Sequence, residues 1–355
     1  MPGAAPSPAS SLPKAVLHDH IDGGLRVATI LELADAGAYH GLPTSDPGQL
    51  AAWFDQSGAG SLEHYLDAFG HTLGVLQSAE ALHRAAYEWA VDLAGDAAVY
   101  AEARFGPSLH TAGGMRREDA IEAVVAGVAE GCAATGLVAG VIVTALRNAD
   151  DSEQVAFAAA RFAGDGVVGF DLAGPEAGFP ADLHMPAVNA ARRAGLGVTI
   201  HAGEGDGLES IWKAVGVCGA ARIGHGARIV DDMTVVDGEV SSLGRLARVI
   251  RDQRIPLELC ISSNIHTGLA RSAAEHPFGL LHRAGFLVTL NTDNRLMSAV
   301  TLSEEYELAH AVQGLSLAEL GSVTVAAIEA GFGDWQERRS LIEDVVRPAY
   351  AAASA

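Results

Sequence analysis

Short apolar runs recur along the chain, with helix-like patterns between most of them. The runs are Ala15–His20, Ala97–Phe105, Val138–Leu146, Val167–Gly174, Gly197–Glu204, Arg222–Gly226, Pro256–Ser262 and Leu287–Asp293. Most are bounded by Gly or Asp and are apolar on both sides of the pleat, the pattern of parallel strands covered on both faces. Runs of this kind alternating with helices predict a closed (β/α)8 barrel, the TIM-barrel architecture, rather than an open sheet. Ser78–Leu93 reads as one of the helices, with Ser78 as N-cap and Leu82, Trp89 and Leu93 on a common face. Ala120–Val128 and Leu243–Arg251 follow the same pattern.

One spacing departs from the rhythm. Roughly 75 residues separate the first and second strands, far more than one helix and its loops require. The excess falls on Leu42–Phe54 and Ser61–Leu76, with Ser57-Gly58-Ala59-Gly60 breaking the helical pattern between them. An insertion after the first strand of a barrel lies on the face that carries active sites. Extra lid helices over about residues 42–76 are therefore expected, with Trp53, Phe54, Leu62 and Tyr65 as apolar cover. Residues 12–355 are expected to form a single domain. Residues 1–11, rich in Ala, Pro and Ser and without a cationic or apolar leader pattern, read as a disordered tail.

Composition narrows the partners. The chain has 355 residues, is 49% hydrophobic and 19% charged, and carries a net charge of −21. Such a charge disfavours nucleic acid and anionic membrane as partners. No uninterrupted apolar window is long enough for a membrane span. Cys132, Cys218 and Cys260 are sparse, odd in number and without C-x-x-C spacing, which points to a reducing cytoplasm and no disulfide framework. A small-molecule substrate is expected, and nothing in the sequence implies an obligate protein partner.

The candidate chemistry sits at strand ends. Val198-Thr199-Ile200 runs into His201, then two residues with almost no side chain, then Glu204. This places a metal ligand and a proton donor on either side of a tight turn. His18 and His20 end the first strand, and residues i and i+2 of a strand point the same way, so two imidazoles converge. Asp293 ends the eighth strand, beside the first in a closed barrel. Three imidazoles, one carboxylate and an open position suit a catalytic zinc. His225, flanked by Gly224 and Gly226 at the end of the sixth strand, is read as orienting the attacking water rather than as a ligand. The remaining histidines, His64, His71, His110 and His276 among them, show no such placement.

Taken in order, these segments resemble the adenosine deaminase family of the metal-dependent hydrolases. The resemblance runs from Pro13-Lys14 into His18-Asp19-His20-Ile21-Asp22-Gly23. It continues through Ala103-Arg104-Phe105, Phe170-Asp171-Leu172-Ala173-Gly174-Pro175-Glu176, His201-Ala202-Gly203-Glu204, Arg222-Ile223-Gly224-His225-Gly226, Leu257-Glu258-Leu259-Cys260 and Asn291-Thr292-Asp293. It implies one Zn2+ per chain, held by His18, His20, His201 and Asp293. It implies Glu204 as proton donor to purine N1 and His225 as the histidine that assists the hydroxide. Gly174 would offer its N–H to purine N3, and Asp22 would hold the ribose 5′-hydroxyl. The implied reaction is hydrolytic deamination of adenosine and 2′-deoxyadenosine in purine salvage. The zinc activates water, hydroxide adds to C6, Glu204 donates to N1 and ammonia leaves. Glu204 must then carry a proton near neutral pH.

Two features refine the resemblance. Many related metal barrels bridge two ions with a modified lysine on the fourth strand, and none stands there, since Lys14 and Lys213 are the only lysines. One metal ion is the better count. Many family members also carry a second Asp after the ligand Asp, whereas this chain has Asn294, whose amide can donate directly to a neutral purine N7. Asp22 favours a free 5′-hydroxyl over a phosphate. The competing readings are a deaminase of another 6-aminopurine and a catalytically dead relative that only binds nucleoside.

Overall fold

Each of the apolar runs contains a strand. A computed structural model of the chain describes residues 8–354. The barrel strands are β1 (Lys14–His20), β2 (Ala98–Phe105), β3 (Val138–Leu146), β4 (Val167–Ala173), β5 (Gly197–Ala202) and β6 (Arg222–His225). A separate antiparallel hairpin follows, β7 (Met233–Val236) and β8 (Glu239–Leu243), and the barrel resumes with β9 (Leu257–Leu259) and β10 (Val288–Leu290). The eight barrel strands are ordered β1-β2-β3-β4-β5-β6-β9-β10, with parallel pairing throughout. The seam between the last strand and the first is closed just beyond β10. His20 N–H donates to the Asp293 carbonyl at 2.7 Å, and Asp293 N–H donates to the His18 carbonyl at 2.9 Å. The architecture is the (β/α)8 barrel that the alternation predicts.

Local sequence accounts for the helices that wrap it. Ser78 accepts from Ala81 N–H and starts the helix Ala79–Gly95, which buries Leu82, Trp89 and Leu93. Thr301 with Glu304, and Ser316 with Glu319, form capping boxes. The expected helices at Ala120–Val128 and Leu243–Arg251 are seen as Arg117–Thr135 and Arg245–Asp252.

The structure differs from the sequence reading in three places. The run Pro256–Ser262 is strand only to Leu259, and Ile261–His266 is helical. A short apolar run cannot by itself show where one period gives way to the other. The β7–β8 hairpin turns at Asp237-Gly238, both at positive φ. That dipeptide between β-branched residues is a hairpin signal the strand count passed over. Residues 1–7 of the expected tail lie outside the described residues, whereas Pro8–Ser11 are helical. The Lys14 ammonium donates to the Ser10 and Leu12 carbonyls at 2.8 and 3.1 Å, fixing the chain just before β1.

The long β1–β2 connection holds the helices Pro47–Phe54, Leu62–Asp67 and Phe69–Val75, the first two capped by Asp46 and Ser61. It is tied to the barrel mouth by Gln56 N–H to the Met297 carbonyl (2.8 Å) and Gly60 N–H to the His266 carbonyl (2.9 Å). The Tyr65 and Ser298 hydroxyls share a third bond of 2.8 Å.

Candidate active site

The ends of β1, β5, β6 and β10 deliver four side chains to one point. His18, His201, His225 and Asp293 each present a donor atom within 4.8 Å of the others. His20 stands at the edge of this group, its Nε2 3.5 Å from Asp293 Oδ1, and its ring centroid 5.3 Å from His18 and 5.5 Å from His201. Three of the four sequence-predicted ligands, His18, His201 and Asp293, therefore meet at the C-terminal mouth of the barrel; His225 joins them, and His20 stands beside them. Gly224 makes room: a Cβ there would lie 3.1 Å from His201 Cα and 3.2 Å from His18 Cε1. His225 and Asp293 both adopt left-handed backbone, φ 61° and 60°. For non-glycine residues this is a strained conformation, and it re-aims both side chains at the cluster.

A second layer orients the imidazoles. His18 Nδ1 lies 3.1 Å from Glu258 Oε2, and His201 Nδ1 lies 3.1 Å from Asp171 Oδ1. An ionised carboxylate only accepts, so both Nδ1 atoms carry the proton and both Nε2 lone pairs face the cluster. His18 Nε2 is buried and has no hydrogen-bond partner in the protein. An orphaned lone pair of this kind, beside a carboxylate and a second imidazole, fits a divalent metal ion. Ser263 Oγ donates to Asp293 Oδ2 at 2.6 Å. Burial works against the charge of Glu258, yet Arg104 and Arg222 hold it ionised, well below the usual carboxylate range. Burial pushes His20 down to about 3, which keeps its ring neutral. Asp171 and Glu258 were not singled out from the sequence, although a carboxylate inside an otherwise apolar strand was the readable signal.

A cavity of about 220 Å³ opens over the cluster. Its wall includes Asp22, Gly174, Glu204, His225 and Asn294, together with Leu62, Tyr65, Leu66, Phe69 and Leu73 from the inserted helices. Of the four residues expected to cover it, Leu62 and Tyr65 do so. Trp53 stands 38% exposed and packs on Phe54 and His71 instead. Gly174, at φ +94°, takes a backbone conformation that suits glycine. Asp22 Oδ1, Glu204 Oε1 and Asn294 Oδ1 are buried without hydrogen-bond partners. Burial, with the nearby charges of Asp293 and Glu176, pushes the Glu204 carboxyl well above its usual 4.5. Burial raises Asp22 to about 7.

The segment carrying His201 and Glu204 is held by its backbone. The Glu176 carboxylate accepts from the N–H groups of Gly203 (2.5 Å), Glu204 (3.0 Å), Gly205 (2.7 Å) and Asp206 (3.1 Å). Arg147 donates to the His201 carbonyl, and Arg228 Nε donates to the Glu204 carbonyl at 2.9 Å. Glu204 lies beyond the end of β5, in the bend that this grip shapes.

An imidazole and carboxylate cluster with an orphaned lone pair, set at the mouth of a parallel barrel, is the arrangement of a barrel hydrolase of the amidohydrolase class. Comparison with known proteins narrows the class. The family profile described as adenosine deaminase matches residues 13–348. An adenosine deaminase of Mycobacterium sp. (strain JLS) is 51% identical over 349 residues, spanning 96% of each chain. The chain belongs to the adenosine deaminase family. Among solved structures, an adenine deaminase from Arthrobacter aurescens superposes with a TM-score of 0.83 at 24% identity, covering 95% of this chain and 98% of that one. The N6-methyl-AMP deaminase of Arabidopsis thaliana does so at 0.79 and 26%, covering 98% of both chains. These deaminases are named for different substrates, so the shared barrel does not choose the substrate by itself.

Proposed function

We propose that the protein hydrolyses adenosine and 2′-deoxyadenosine to inosine and deoxyinosine, releasing ammonia, as a purine-salvage enzyme of a reducing cytoplasm. His18, His20, His201 and Asp293 would hold one Zn2+, whose Lewis acidity makes a water nucleophilic near neutral pH. The observation that carries the reading is Glu204. Its unpartnered oxygen lines the same cavity as the metal-competent cluster, and burial with the nearby Asp293 and Glu176 charges pushes its carboxyl well above the usual carboxylate range.

One water proton leaves to solvent, and the hydroxide oxygen bonds to C6 as the Glu204 proton passes to purine N1. The new C6 hydroxyl proton then passes through the Glu204 carboxylate to N6, the C6–N6 bond breaks with loss of ammonia, and Glu204 regains a proton from solvent. His225 orients the attacking water. Asp22 accepts the 5′-hydroxyl, Gly174 N–H meets purine N3, and Asn294 donates to N7. Residues 42–76 act as a lid, with Leu62, Tyr65 and Phe69 excluding water from the base. Residues 12–355 then act as one domain.

No helix among the described residues is long and apolar enough to cross a membrane, and the three cysteines are free. The proposed partner is a small-molecule purine nucleoside. The test is the ultraviolet change from adenosine to inosine, run with and without a chelator and repeated with adenine and N6-methyladenosine. Chelator-sensitive turnover fastest on adenosine is expected. Faster turnover of another 6-aminopurine, or none at all, would replace the reading.

A further inference from the structure

We propose that Asn264 and His276 lock His225 as the Nε2–H tautomer, so that His225 meets the attacking water as a hydrogen-bond donor and not as a metal ligand or proton acceptor. The inference rests on the placement of His225 beside the reacting water in the reading above. It assigns work to two residues that reading does not use.

The argument starts from a donor whose direction is fixed. The backbone N–H of Phe278 donates to His276 Nδ1 at 3.2 Å, so Nδ1 of His276 is the bare nitrogen and Nε2 carries its proton. His276 Nε2 lies 3.1 Å from Asn264 Oδ1, which accepts. The other end of the same amide is therefore NH2, and it lies 3.0 Å from His225 Nδ1. An amide N–H facing a ring nitrogen requires a lone pair there, so His225 carries its proton on Nε2. All three side chains are buried, so no solvent competes for these bonds. The relay thus runs from a peptide N–H, through an imidazole and an amide, to an N–H aimed at the site.

The contrast with the other cluster histidines is chemical. The Nδ1 atoms of His18 and His201 donate to carboxylates, which turns their Nε2 lone pairs inward. His225 Nδ1 accepts from an amide, which turns an N–H inward. Proximity alone groups His225 with His18, His201 and Asp293, and the relay separates it from them.

The test reads the tautomer directly. In the zinc-loaded protein with 15N-labelled histidine, long-range 15N–1H correlation shows which nitrogen of His225 bears the proton, assigned by the signals missing in His225→Gln. Protonated Nε2 and bare Nδ1 are expected, and a proton on Nδ1 overturns the proposal. Asn264→Asp replaces the donating amide by an acceptor of the same shape, and should place a proton on Nδ1. It should lower kcat for adenosine roughly 100-fold, with KM within about threefold and zinc content unchanged. His276→Gln, which can still accept from Phe278 and donate to Asn264, should keep the parental tautomer and most of the activity. Parental tautomer and kcat in Asn264→Asp would overturn the proposal. If that variant does not fold, His276→Phe, which frees the Asn264 amide to turn over, carries the same test: mixed tautomer signals are expected, and parental ones overturn it. The tautomer is read without turnover, so its failure is distinct from a failure to deaminate adenosine.

Discussion

The floor of the barrel and its mouth are both buried and both polar, and they differ in one respect. Beneath the histidine cluster the charges are paired. Glu258 meets Arg104, Arg222 at 2.6 Å, Thr199 and His18. Arg222 also donates to Glu102 at 2.6 Å, and Arg104 Nη1, although it makes no hydrogen bond, is ion-paired with Asp171 at 3.3 Å. At the mouth, His18 Nε2, Asp22 Oδ1, Glu204 Oε1 and Asn294 Oδ1 have no partners. Burying a polar group without a partner costs about 1–3 kcal/mol, and four such atoms lining one cavity are positions that a metal ion or ligand can complete. The floor is polar for the sake of the fold, and the mouth for the sake of a ligand.

The sharpest break of that contrast comes from exchanging carboxyl for amide in each region. Glu204→Gln should lower kcat for adenosine at least ~1000-fold while zinc stays bound, since it removes the proton donor. It should change unfolding free energy by less than about 1 kcal/mol, because an already protonated carboxyl and an amide are near-equivalent in charge and shape. Glu258→Gln should instead cost about 3–5 kcal/mol in chemical denaturation, because it leaves two buried guanidinium groups undercompensated. Equal stability losses in the two variants would erase the distinction.

The pH profile sharpens it further. Glu204 is active when protonated, and its folded pKa is raised, so kcat should hold well above pH 4.5 and fall only as pH rises through the raised value. A decline centred on the ordinary carboxylate range would show that the mouth does not hold its proton. A smaller effect is expected from Glu176→Gln, which weakens the grip on four backbone N–H groups. Steady-state kinetics should show roughly a tenfold loss in kcat with KM little changed. Asp22→Ala should be the mildest. The KM for adenosine should rise by about tenfold, with inhibition by free adenine unaltered. Equal losses for both ligands would remove Asp22 from sugar recognition.

Much of this was legible in the sequence, and the legible part has a physical signature. Parallel strands buried on both faces write their positions as apolar runs, and a polar residue ending such a run is conspicuous, as His18, His20, His201, His225 and Asp293 are. What could not be read is whatever acts through space or through the backbone. Glu176 addresses peptide N–H groups, which have no sequence of their own. His276 matters because of an amide twelve positions away in the chain, and by itself it is one more buried histidine. The same limit explains Pro256–Ser262, where a strand and a helix share one apolar stretch.

The seam at Asp293 bears on how the protein is made. His18 and His20 are made long before the carboxylate that joins them and the backbone that closes the barrel against them, which lie just beyond the last strand. A nascent chain short of residue 293 therefore offers two neighbouring imidazoles but no assembled pocket, and competence arrives in a single late step of synthesis rather than by degrees.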